Sequence, residues 1–117
     1  MGREAIGEVV VDGVRHPIEL DLEAGRLEIR ARDAVAFIRL RARGPVFSLI
    51  HTEVPDVLRG GGVANALART ALAYARAQGL TVKPFCPFVQ QYLRRHPDEL
   101  DLVDPEFTLP AGPGPAA

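Results

Sequence analysis

The stretch Arg59-Gly60-Gly61-Gly62-Val63-Ala64 has the composition to hold an anionic phosphate. Glycines let a backbone approach a ligand closely, and the free N–H groups at a helix start carry partial positive charge. Cys86 is the second reactive feature. If Pro87 is the first residue of a helix, Cys86 stands at its N-cap, where the helix dipole lowers a thiol pKa.

The flanking sequence supplies the elements that would position both. Residues 46–54 are β-branched and apolar and stop at Pro55-Asp56, the pattern of a strand. After the glycines, Val63, Leu67, Thr70, Ala71, Tyr74 and Ala75 recur at the spacing of one helix face, and Gly79 suits a left-handed C-terminal cap. Leu80-Thr81-Val82-Lys83-Pro84 then reads as a short strand, parallel to 46–54 because a helix has crossed back between them. A second helix begins near Pro87, runs through Phe88, Val89, Tyr92 and Leu93, and stops around His96, before Pro97. The front half alternates as an antiparallel meander, with Asp12-Gly13 as a hairpin turn, strands over 27–31 and 34–40, and a turn at Arg43-Gly44-Pro45.

Two common phosphate motifs do not fit the loop. A P-loop needs Lys and Ser/Thr after its last glycine, where Val63 and Ala64 stand. The dinucleotide fingerprint places a third glycine where Asn65 stands, and no early βαβ unit surrounds it. A plain flexible turn is the bland alternative. The stretch instead resembles the (Q/R)-x-x-G-x-(G/A) pyrophosphate loop of the GNAT superfamily of acyl-CoA-dependent N-acyltransferases. His51-Thr52-Glu53-Val54-Pro55 before it, and Pro84-Phe85-Cys86-Pro87-Phe88-Val89 with Tyr92 and His96-Pro97 after it, resemble the HTEVP and PxCPFVxxYxxxHP segments of a small single-domain branch.

That resemblance implies an acyl-CoA N-acyltransferase fold of the α/β (α+β) class. Its sheet is mixed and mostly antiparallel, with a splayed parallel strand pair and two main helices. It implies acetyl-CoA as cosubstrate and direct attack of an acceptor amine on the thioester. Arg59, Gly60, Gly61, Gly62, Val63 and Ala64 would grip the pyrophosphate. Backbone groups of Glu53 and Val54 would bond the pantetheine, and Cys86, Phe88 and Tyr92 would lie along it. Glu53 or His51 could take the amine proton, and Tyr92 could protonate the leaving thiolate or simply pack on Phe88. Cys86 has three readings: a structural thiol, a residue shaping the thioester pocket, or a covalent acyl-cysteine nucleophile. Gln90, Gln91 and Arg95 could contact the pantetheine or the adenosine phosphate. Larger relatives have two helices between their first strands; here 7–54 reads as nearly all strand, so the acceptor cleft should be open and shallow. The rival function is a CoA-binding module, a sensor or partner-docking domain without turnover.

Composition narrows the class. The 117 residues make one domain, expected to divide into a strand extension over 1–24, the acetyltransferase domain over 25–104, and a disordered tail over 105–117 rich in Pro, Gly and Ala. A formal net charge of −1 argues against a general nucleic-acid binder. No apolar run approaches the ~20 residues of a membrane helix, and Met1-Gly2-Arg3-Glu4 does not open a secretion signal, so a cytoplasmic protein is expected. The single cysteine excludes an internal disulfide. The spacings of His16, His51, His96 and Cys86 match no metal motif, and no metal is expected. A monomer or homodimer is expected, since a free sheet edge could pair with a second copy.

Overall fold

The computed structural model describes residues 2–110. The chain forms β1 (Arg3–Val11), β2 (Val14–Asp21), β3 (Arg26–Ala31), β4 (Ala34–Arg43), β5 (Val46–Glu53), α1 (Val63–Gln78), β6 (Thr81–Pro84) and α2 (Pro87–Arg95), with 3-10 turns at Asp56–Leu58 and Pro97–Leu102. All six strands join one sheet in chain order. Every neighbouring pair is antiparallel except β5 with β6, which is parallel because α1 crosses between them. This is the mixed sheet with one parallel pair and two main helices expected from the sequence.

Local chemistry sets the turns. Asp12 and Gly13 both have positive φ, 55° and 75°, as a two-residue hairpin requires. Arg32 and Asp33 do the same at 51° and 57° without any glycine. Gly25 is left-handed too, at φ 72°, and is required for a second reason. Its carbonyl accepts from the Leu40 N–H at 2.9 Å, and a Cβ there would meet the Leu40 carbonyl oxygen at 2.8 Å.

Helix α1 contacts β1, β3, β4, β5 and β6. Its small residues Ala66, Ala71 and Ala75 are buried with Leu67 and Leu72, so the helix sits close to the strands. Beneath it lie Ile18, Leu20, Leu27, Ile29, Ile38, Leu40, Phe47 and Leu49, all 3% exposed or less. The molecule is therefore thin, with extents of 39 × 37 × 20 Å. β1 and β2, the first strands, are hydrogen-bonded into this same sheet, and a side chain at Gly7 would collide with Thr70 of α1. Beyond β6, Val103 pairs with Val82 and Phe107 packs edge-on against Phe85 with ring centroids 5.2 Å apart. The expected tail over 105–117 thus begins inside the described residues; 111–117 lie outside them.

One irregularity positions the site. Arg39 pairs with His51 and Leu40 with Leu49, so Ile50 is an extra residue on β5, a β-bulge. The bulge resets the alternation of side chains. Phe47 and Leu49 face α1, and after the bulge Thr52, not His51, turns inward.

Candidate functional site

β5 and β6 run together only from Val46↔Thr81 to Leu49↔Pro84. The Cys86 N–H donates to the Leu49 carbonyl at 2.9 Å, the last backbone hydrogen bond between the two segments among the described residues. Past it, β5 continues through residues 50–53 paired to β4 alone, and the chain after β6 turns off into α2. The strands part just where the Ile50 bulge sits.

A cleft of about 530 Å³ lies at this parting. Thr52 and Val54 line it from the end of β5, and Arg59, Gly60 and Gly62 from the loop. Ala64 and Asn65 line it from the first turn of α1, and Phe88 and Arg95 from α2. The loop is pinned at both ends by Leu58 and Val63, each 2% exposed, while the glycines between them are exposed. Gly62 is the N-cap of α1 and is left-handed, at φ 79°, with no side chain capping the helix. The Ala66 N–H makes the first helical bond, to the Gly62 carbonyl. The preceding helical N–H groups have no intrahelical acceptor and stand at the cleft. Arg59 is held at the rim, its Nε donating to the Val54 carbonyl at 3.1 Å and lying 3.3 Å from Asp56 Oδ1. Arg59, Arg95 and an uncapped helix start are the groups in the cleft lining whose chemistry suits an anion.

The other sequence candidates occupy different positions. Val63 is buried under the loop and Gly61 faces away, lining a smaller hollow of about 200 Å³ with Asp12 and Arg32. Glu53 and His51 are exposed and do not line the cleft; their Oε1 and Nε2 atoms are 3.4 Å apart. Cys86 is the N-cap of α2 and 2% exposed, with Sγ 3.1 Å from Thr52 Oγ1, behind the cleft wall. Tyr92 is 7% exposed, and its ring stacks on His96 at 4.0 Å. Burial pushes its phenol up, against the opposing effect of Arg69. Gln90 donates its side-chain amide to the Pro84 carbonyl at 2.9 Å, and Gln91 is exposed. Arg95 reaches the cleft while Gln90 and Gln91 do not line it.

Thr52, Leu58 and Asn65 are lining residues that sequence reasoning did not single out. The signal for Thr52 was the bulge, which no glycine or proline announces. In the sequence Asn65 marks only the absence of a third glycine.

Arg32 is a further unforeseen part. Its guanidinium meets both carboxylate oxygens of Asp12 and donates to the Val57 carbonyl. Asp12 is held below the usual carboxylate range chiefly by this hydrogen bond. The tips of two hairpins and the 3-10 turn before the loop are thereby tied together.

A mixed sheet splayed at one parallel pair, with a helix crossing between the parted strands and a cleft at its start, defines an acyltransferase-like α/β domain. The chain belongs to the GCN5-related N-acetyltransferase family, whose model matches residues 26–102. It is similar to Protein NATD1 of Gallus gallus, 38% identical over 52 residues that cover 44% of this chain and 47% of that protein. Protein NATD1 of Homo sapiens is likewise 38% identical over 52 residues, covering 44% and 46%. Protein NATD1 of Xenopus tropicalis is 39% identical over 49 residues, covering 42% and 45%. The matched stretches span about half the length of these curated relatives. Among the described residues no helix is long and apolar enough to cross a membrane.

Proposed function

We propose that the protein transfers an acetyl group from acetyl-CoA to an amine. The observation that carries this is the cleft, in which an uncapped helix start flanked by Arg59 and Arg95 opens onto the parting of β5 and β6. Those groups fit the diphosphate of CoA, and the walls of Val54, Ala64 and Phe88 fit the largely apolar pantetheine arm. Acetyl-CoA, when bound, supplies an activated thioester.

The chain's own residues do the rest. The loop fixes the phosphate end, so the parted strands orient the thioester end near the bulge. Backbone groups of Glu53 and Val54 are the pantetheine partners on β5. Glu53 accepts the proton of the attacking amine, with His51 beside it. Cys86 shapes the thioester end through its contact with Thr52. Tyr92 stands one turn beyond Phe88 as the proton donor on α2.

The test is free-thiol release from acetyl-CoA in the presence of a panel of amines. Amine-dependent release supports transfer. A second reading, a CoA-binding module without turnover, is favoured by the absence of any carboxylate or imidazole from the lining of the cleft. CoA binding with no thiol release from any amine would establish that module and refute the transferase.

A further inference from the structure

The sheet face turned away from α1 carries two groups of arginines. Arg3, Arg26 and Arg30 close on the buried carboxylate of Glu28, at 2.8, 3.3 and 3.1 Å. Arg39, Arg41 and Arg43 alternate along β4, are exposed, and make no ion pair among the described residues. Their strand partners are His51, Ser48 and Val46, none of them acidic. A row of like charges on one strand is repulsive, and among the described residues no carboxylate pairs with it. Composition does not force such a row, because the chain holds 15 acidic residues against 14 basic ones.

The row also has a direction. Arg39 lies directly opposite His51, beside the parting of β5 and β6, and Arg43 is farthest from it. Side chains on one face of a strand repeat every ~6.8 Å, which is also the spacing of alternate side chains on an extended peptide. We propose that Arg39, Arg41 and Arg43 dock an acidic, extended polypeptide segment whose amine reaches the parting beside His51 and Glu53. The acceptor would thus be a protein or peptide amine with acidic side chains at alternate positions on one side of it. The role given to the amine rests on the acetyl-transfer reading; the docking does not.

The experiment uses the full chain with CoA present. Fluorescence anisotropy would compare a labelled peptide carrying one lysine and alternating glutamates, the same peptide with lysines replacing the glutamates, and a single-stranded oligonucleotide of equal negative charge. The acidic peptide should bind best, more weakly as salt rises. The triple variant Arg39→Gln/Arg41→Gln/Arg43→Gln should lose about tenfold of that affinity, from three exposed charge pairs of modest strength. CoA affinity measured by calorimetry should not change in the variant, which shows that it folds. Equal binding of both peptides, undiminished binding by the variant, or tighter binding of the oligonucleotide would each overturn the proposal. Thiol release separates the two readings: peptide binding without release sinks the transferase and leaves the docking face, and release from a simple amine without peptide binding does the reverse.

Discussion

Three consecutive glycines should respond very differently to the same methyl group. Gly60 and Gly62 have φ of 83° and 79°, the left-handed region, whereas Gly61 does not have a positive φ. No heavy atom lies within 4 Å of a Cβ built at any of the three, so collisions cannot distinguish them. Backbone strain alone should. An L-residue held left-handed costs about 1–2 kcal/mol. For a domain of this size that lowers Tm by about 4–8 °C. Alanine at 61 adopts the native conformation without strain and restricts the unfolded chain, worth about 0.4–1 kcal/mol of added stability. Differential scanning calorimetry of Gly60→Ala, Gly61→Ala and Gly62→Ala should show two losses around one small gain. Asparagine, which tolerates the left-handed region, should cost less than alanine at 62. Calorimetric CoA titration should follow a related pattern, since Gly60 and Gly62 line the cleft and Gly61 does not. Equal Tm changes at the three positions, or the largest loss at Gly61, would refute the reasoning.

Other outcomes follow from single contacts. Leu67→Ala, at a site with no exposure at all under α1, should cost about 2–5 kcal/mol in urea unfolding; a loss below 1 kcal/mol would contradict the packing described. Arg32→Ala frees the Val57 carbonyl and Asp12, and should weaken CoA binding several-fold without Arg32 lining the main cleft; unchanged affinity would show that the loop needs no such tie. Asp104 is held below its ordinary range by the Thr81 hydroxyl first and the Glu106 N–H second, against its burial. Its contribution to stability is therefore complete above about pH 4 and lost as pH falls through the lower folded value, so Asp104→Asn should flatten the acid limb of the stability curve. An unaltered acid limb would contradict that. Cys86 should remain unmodified by mass spectrometry after acetyl-CoA exposure, and Cys86→Ala should retain activity; an acetyl-cysteine adduct would revive the covalent route.

How far the sequence discloses this site depends on the range of each interaction. The glycine loop, α1 and its Gly79 cap, and the Cys86 N-cap are local features and are plain in the residues themselves. The parallel pairing of β5 with β6 follows from the helix between them. The bulge at Ile50 is not legible, because Leu49-Ile50-His51 contains no turn residue and reads as uninterrupted strand. Its consequence is large: it turns Thr52 toward Cys86 and leaves His51 and Glu53 on the open face. The Asp12–Arg32 pair joins residues far apart in sequence, and only the stacking of two hairpins brings them together. Likewise the alternation Arg39, Arg41, Arg43 is visible in the sequence, but its neighbourhood to the strand parting depends on the register of β4 against β5.

The central claim is that the cleft at the start of α1 holds the diphosphate of CoA. Isothermal titration of the wild type, Gly62→Asn and Gly62→Asp with CoA tests it most directly. The two variants differ only in charge and both residues tolerate a left-handed backbone. A unit charge about 4 Å from another contributes up to about 4 kcal/mol near a protein surface. The account predicts saturable binding to the wild type, and binding at least tenfold weaker for Gly62→Asp than for Gly62→Asn. No binding to the wild type, or equal binding by the two variants, would contradict it.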